Sequence, residues 1–320
     1  MDYSAVLEKI EKYNSIVIFG HNNPDGDCYG SQMALRRALQ LKYPEKNVYT
    51  VGSGLHRFFD LLGYMDVVPE KVIERSLAII VDGNDIPRME DQRINFAKDF
   101  IKFDHHVDTG SFTEGPSIVN EDACSCCEIL LDFFRANSFP IDQHIAQSLL
   151  LGLITDTARF QFVNNYTKTF KDVALLCDLG ANPAPLNTIL NLTSESSTAF
   201  KGYVYTHYKK TDCGVLYMYF SNRILKKFKL NPNAACGMVN LLGNIRGYPV
   251  WMFICENNNK SIHIEFRSTG PAVQPIALKY GGGGHPLAAG VTIVEPTPEI
   301  IESIINDLNE ISKKWKEENC

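Results

Sequence analysis

The 320-residue chain reads as an α/β protein: a parallel sheet with helices on both faces, followed by a smaller mixed α/β domain. Three observations predict this. Short aliphatic runs alternate with amphipathic segments through the first half; those runs are apolar at nearly every position rather than at every second one; and the regularity breaks in a Pro-, Asn- and Ser-rich stretch near residues 180–197. Continuous apolar strands are those covered on both faces, as parallel sheets require. A chain of this length also exceeds what one core usually holds.

Residues 15–20 form the first expected strand, and after the loop opened by His21 a helix is expected over residues 31–42. Residues 47–51 make a second strand, 55–62 a helix, 77–81 a third strand and 99–103 a fourth. Strands and helices alternating at this spacing imply parallel pairing through crossover connections. From about residue 123 to 177 the pattern is helical, with an apolar segment 141–154 ending at Thr155-Asp156 and a further helix over 167–179. The second domain carries expected strands at 215–220, 250–254 and 261–267, helices at 234–242 and 275–280, and a closing amphipathic helix at 298–314. The expected domains are 1–185 and 198–320, joined by a linker near 180–197.

Composition narrows the function. The hydrophobic fraction, 45%, is that of a globular protein. No apolar run approaches the ~20 residues needed to cross a bilayer, and residues 1–14 lack a signal-peptide apolar core. A cytoplasmic protein without a membrane partner is expected. The nine cysteines are odd in number and mostly set in apolar runs, which suits reduced thiols. Cys124, Cys126 and Cys127 directly precede a helical pattern and no second pair answers them, so packing is favoured over zinc. A net charge of −6 and a pI of about 5.8 argue against a partner of long nucleic acid, whose phosphates demand a basic stripe.

Four segments carry chemistry, each where a strand or helix ends: His21 to Asp27, Asp82 to Asp85, Asp104-His105-His106, and Thr155-Asp156. In parallel sheets ligands gather at the carboxyl ends of strands. Taken singly, each segment has an ordinary reading: an Asp-Gly-Asp turn, a packed His pair, a helix cap. Their coincidence points instead to a site for two divalent cations. Asp25 and Asp27 stand one residue apart on a tight loop, with Pro24 and Gly26 aiming one carboxylate at each ion while His21 approaches from the strand end. Asp82 is expected to bridge both ions, and His105 with Asp156 to complete the second. Such mixed nitrogen and oxygen donors suit two Mn²⁺, with Mg²⁺ or Co²⁺ as substitutes. Paired cations activate a shared water and neutralise charge gathering on phosphorus, so phosphoryl chemistry is expected, with Asp82 central to it. His106 is expected to contact a phosphate oxygen or protonate the leaving group, and Asp104 to orient a histidine ring.

The triplet Asp104-His105-His106, with His21 to Ser31, Asp82 and Asp156 inside Gly152-Leu153-Ile154-Thr155-Asp156-Thr157, resembles the DHH phosphoesterase superfamily. Phe266-Arg267-Ser268, Gly281 to His285 and Ala288-Ala289-Gly290 are similar to the DHH-associated C-terminal domain, so the resemblance covers nearly the whole chain. It implies one Mn²⁺ on His21, Asp25 and Asp82 and another on Asp27, Asp82, His105 and Asp156. It further implies an active site in an interdomain cleft, where Arg267, Ser268, Gly282, Gly283, Gly284 and His285 bind substrate. Backbone amides of glycines approach anions closely, and arginine offers a bidentate fork. The layout looks most like the nanoRNase and pAp phosphatase branch, which degrades very short oligoribonucleotides and converts 3′-phosphoadenosine 5′-phosphate to AMP. One departure is Ala158, where members often carry glycine; Arg159 and Arg88 receive no assigned role.

Cyclic-dinucleotide phosphodiesterases share this layout and stay open as an alternative. Hydrolysis of pyrophosphate or polyphosphate would call for a Lys- and Arg-dense pocket, where the second domain offers a glycine run, one candidate arginine and aromatics. A longer-chain exonuclease fits the acidic balance poorly, and a sensor that binds a nucleotide without turnover would not need every ligand position filled. A homodimer is compatible with the sequence, which does not specify the oligomeric state.

Overall fold

The computed structural model describes residues 2–108, 110, 112–257 and 260–319, and the chain divides into two compact units, Met1–Leu192 and Thr193–Cys320. The first is built on a five-stranded sheet in the order β2-β1-β3-β4-β5, every pair parallel: β1 (Ser15–Phe19), β2 (Asn47–Val51), β3 (Leu77–Val81), β4 (Asp99–Asp104) and β5 (Ser117–Val119). Alternate residues of the central strands feed two cores. Ile16, Ile18, Leu77, Ile79 and Val81 pack into one, and Val17, Phe19, Ala78 and Ile80 into the other. Burial on both faces is why these strands read as unbroken apolar runs.

Helices of this unit are α1 (Ser4–Lys12), α2 (Gly26–Lys42), α3 (Phe59–Leu62), α4 (Glu70–Ile73), α5 (Cys126–Ala136), α6 (Gln143–Asp156), α7 (Tyr166–Asp178) and α8 (Pro183–Asn191). Helix α2 begins at Gly26, five residues before the expected start, because Asp25 caps it: Oδ1 accepts from the amides of Asp27 and Cys28 at 2.9 and 3.0 Å. Its glycines discourage a helix by propensity and are repaid by packing. A Cβ on Gly30 would stand 2.5 Å from the carbonyl oxygen of Ser148 on α6, so only glycine lets the two helices approach this closely. Within residues 180–197 the chain folds α8, started by Asn182 as cap and Pro183 at the first turn.

The second unit holds a six-stranded mixed sheet in the order β10-β11-β9-β8-β7-β6: β6 (Lys209–Lys210), β7 (Val215–Phe220), β8 (Val250–Glu256), β9 (Ser261–Ser268), β10 (Gly283–His285) and β11 (Ala288–Val294). Only the β7–β8 pair is parallel. Its helices are α9 (Glu195–His207), α10 (Asn222–Lys227), α11 (Pro232–Cys236), α12 (Gln274–Lys279) and α13 (Pro298–Asn319). The helix expected over 234–242 is split, with α11 giving way to a 3₁₀ turn over Val239–Leu242. Among the described residues no helix is long and apolar enough to cross a membrane.

Candidate metal centre

The sheet order reverses direction at β1, with β3 on its other side, and the C-terminal ends of β1, β3 and β4 deliver His21, Asp82 and the Asp104-His105-His106 triplet to one place. Asp82 lies at its middle, 2% exposed. Its Oδ2 is 3.4 Å from His21 Nε2 and its Oδ1 is 3.4 Å from His105 Nε2. The two oxygens of one carboxylate thus face two different histidines. The Asp82 backbone takes a left-handed conformation, φ 56°, while its amide still donates to Phe103 of β4 at 3.0 Å. Strain of this kind in a non-glycine residue is held by the surrounding fold, and it clusters at functional sites.

Asp27 and Asp156 come from the α2 and α6 ends. The Asp27 carboxylate is fully buried and accepts the amides of Cys126 at 2.6 Å and Cys127 at 2.9 Å, the first residues of α5. Cys126 and Cys127 are core residues whose backbone supports a ligand carboxylate; Cys320 lies outside the described residues. His105 Nε2 is 3.0 Å from Asp156 Oδ2 and 3.8 Å from Asp27 Oδ2. Three donor groups result: His21, Cys28 and Asp82; Asp82, His105 and His106; Asp27, His105 and Asp156. Cys28 was not among the residues expected from the sequence. Asp25 spends Oδ1 on the α2 cap and lies 3.9 Å from His21 Nε2 by that atom, leaving Oδ2 free of a protein partner among the described residues.

Electrostatics show what this cluster lacks. Burial, then the charges of Asp82 and Asp156, push the Asp27 carboxyl well above its ordinary range. Burial likewise raises Asp156, partly countered by His105. The Asp82 carboxylate pushes His21 up to about 12, helped by Cys28. His105 is pushed up to about 11, because Asp156 and Asp82 outweigh the burial that disfavours its charge. The raised histidines thus sit among crowded carboxylates, of which Asp27 and Asp82 are buried while Asp156 and Asp25 keep 17% and 53% of their side chains exposed. Asp82 Oδ1 is buried without a hydrogen-bond donor. Hard oxygen and imidazole donors in this arrangement fit divalent cations.

His106 has a closer carboxylate partner than Asp82, whose Oδ1 lies 3.6 Å from its Nδ1. Its Nδ1–H donates to Asp104 Oδ1 at 2.8 Å, and this bond, more than the nearby Asp82 charge, holds the ring's pKa above its usual value. Asp104 is fully buried, and the ring it orients is that of His106. His21, Asp25, Asp82 and His106 line a cavity of about 410 Å³ together with Asn22, Gly83, Asn84, Pro87 and Arg88. Arg159 has a different part: its guanidinium donates to Asn187 Oδ1 at 3.1 Å and Asn191 Oδ1 at 2.7 Å, fastening the turn after Asp156 to α8.

In the second unit the register aligns His285 with Ala288 and Ala288 with Arg267, so His285 and Arg267 stand in one row on one face of the sheet. Glu265 lies two residues back on the same face and accepts from Arg267 Nη1 at 2.7 Å and from His263 Nε2 at 3.0 Å. Gly284 has φ 133°, and a Cβ there would stand 2.6 Å from the Ala288 carbonyl oxygen; Gly282 is crowded by Gly290 in the same way. Gly283 faces open space. Ser268 points to the opposite face, where its hydroxyl donates to the Pro271 carbonyl at 2.5 Å, so the structure does not bring it to the Arg267 row.

Family models match along most of the chain: the N-terminal domain of the DHH family over residues 15–153, and the DHHA1 domain over residues 212–314. A Mycoplasma genitalium protein named bifunctional oligoribonuclease and PAP phosphatase NrnA is 33% identical over 95% of this chain and 96% of its own. The Bacillus subtilis protein of the same name is 29% identical over 97% and 99%. Among solved structures, an exopolyphosphatase-related protein from Bacteroides fragilis superposes with a TM-score of 0.82 at 22% identity, covering 97% and 96% of the two chains. That last likeness speaks for the fold.

Proposed function

The chain belongs to the DHH family and is a phosphoester hydrolase, and from that premise we propose that it cleaves very short oligoribonucleotides to mononucleotides and 3′-phosphoadenosine 5′-phosphate to AMP. The relatives named for those two activities align over nearly their whole length, which supports the choice. The observation that carries it is the placement of Asp82, with one carboxylate oxygen toward His21 and the other toward His105.

His21, Asp25 and Asp82 would hold one divalent cation, and Asp27, Asp82, His105 and Asp156 a second, with Mn²⁺ the best match to the donor set and Mg²⁺ or Co²⁺ as substitutes. When bound, such ions supply an activated water and neutralise charge on phosphorus. The protein's own groups do the rest. His106, oriented by Asp104, whose carboxylate favours the protonated ring, stands in the cavity wall as the proton donor for the departing oxygen. Asp27, fixed by two α5 amides, keeps the buried end of the site rigid. Arg267, braced by Glu265, and His285 present cationic and hydrogen-bonding groups for a substrate phosphate or base.

Purified protein with Mn²⁺ is expected to convert a labelled RNA dinucleotide to mononucleotides and pAp to AMP, and to lose both activities with chelator. If both substrates survive in Mn²⁺ as they do in chelator, the reading is wrong.

A further inference from the structure

Among the described residues, Arg88 is the single arginine or lysine lining the cavity that His21, Asp82 and His106 also line. Its backbone is held tightly to the site. The Asn22 amide donates to the Arg88 carbonyl at 2.9 Å, His21 and Met89 form a β-bridge, and Arg88 closes a 3₁₀ turn with Pro87 at its centre. Met89, the next residue, is fully buried and anchors the turn. The side chain is free by contrast. It is exposed, and among the described residues it has no carboxylate, carbonyl or ring partner, whereas Arg36, Arg37, Arg93, Arg135 and Arg159 are all tied to groups of their own unit. Asn84, from the same loop, also lines the cavity, and its Oδ1 is buried without a donor. The wall therefore carries polar capacity that the fold itself does not use.

A fixed backbone with an unpartnered guanidinium at the rim of a polar cavity is the arrangement that recognises an anion. We propose that Arg88 is the phosphate anchor of this cavity: its guanidinium donates to non-bridging oxygens of the phosphate presented to His21, Asp82 and His106. The proposal rests on the hydrolase reading above and names a substrate contact within it. Arg88 sets how the phosphate is seated, and His106 then meets the leaving oxygen from the neighbouring wall.

The test is equilibrium binding of inorganic phosphate to the Mn²⁺-supplemented protein, for wild type, Arg88→Ala and Arg88→Lys, alongside turnover of an RNA dinucleotide with and without methylguanidine. Loss of a charge-assisted bond predicts weakening by about ten- to hundredfold for Arg88→Ala. Arg88→Lys is expected to recover part of it, since the charge returns without the fork, and methylguanidine to recover part of the turnover of Arg88→Ala. Phosphate affinity of Arg88→Ala within twofold of wild type overturns the proposal. So does an equal loss in both variants that methylguanidine leaves unchanged, or a parallel loss of Mn²⁺ affinity, since either marks a structural role. Should wild type hydrolyse neither dinucleotide nor pAp, the hydrolase reading falls, and the phosphate titration still decides Arg88.

Discussion

Gly152 of α6 faces the Asp27 carboxylate so closely that a methyl group on it would overlap Asp27 Oδ1 and the Cys127 thiol. The glycine is therefore part of how α2, α5 and α6 converge on one buried carboxylate. Gly152→Ala is expected to cost about 1–3 kcal/mol through overpacking and to weaken Mn²⁺ binding, because Asp27 cannot yield without breaking its two amide bonds. Thermal melting and a Mn²⁺ titration check this. Gly202→Ala on α9, where nothing lies within 4 Å of the added carbon, is the control expected to show no loss.

Cation binding is expected to depend steeply on pH. Without metal, His21 and His105 are held protonated, their pKa values pushed up to about 12 and about 11. Both therefore carry protons throughout pH 6–8, and a cation that takes their nitrogens must displace them. The sign follows: affinity rises with pH, by up to about tenfold per unit for each proton released. Calorimetry of Mn²⁺ binding in two buffers of different ionisation enthalpy reads the protons directly. Binding that is flat between pH 6 and 8, with no protons released, would contradict the electrostatics of the cluster.

Much of this site was legible in the sequence because its ligands follow strands that announce themselves. His21, Asp82 and Asp104 close apolar runs buried on both faces, and such runs place their ends together in any parallel sheet. The early start of α2 was hidden by Gly26 and Gly30, whose poor propensity is overridden by contact with α6. Helix α8 hid in the Pro- and Asn-rich stretch, although Asn182-Pro183 is itself a helix-start signal. The β10 strand was masked by glycines, which show no alternation of side chains. Pairings such as Arg159 with Asn191, and the inclusion of Cys28 beside His21, depend on packing that no local pattern carries.

Ala158 explains why glycine suits the position after Thr157. Ala158, Arg159 and Phe160 take φ values of 48°, 59° and 66°, three left-handed residues in succession. Each non-glycine residue there costs roughly 1–2 kcal/mol, offset in part by the greater freedom glycine has when unfolded. Ala158→Gly is expected to stabilise the protein by up to about 1 kcal/mol, seen as a small rise in melting temperature with activity retained. A fall in melting temperature would show that the methyl group contributes packing that outweighs the backbone strain.

The bond between Asp104 and His106 supports a last prediction about mechanism rather than stability. A carboxylate that accepts from Nδ1–H fixes the ring's orientation and raises its pKa, which extends the protonated form of His106 to higher pH than a free imidazole would hold it. Asp104→Asn keeps the size and can still accept that bond, but removes the negative charge that favours the protonated ring. The sign is then fixed: the His106 pKa falls, and the proton donor is lost at lower pH than in wild type. The alkaline limb of the kcat profile is expected to move to lower pH, with kcat at pH 8 reduced by up to about a hundredfold, the lower end of what a general acid contributes. A substrate whose leaving group needs no proton, such as a p-nitrophenyl nucleotide ester, should be spared most of that loss. An equal loss on both substrates would mean that Asp104 acts on the metal ligands through the backbone, and that His106 is not the proton donor.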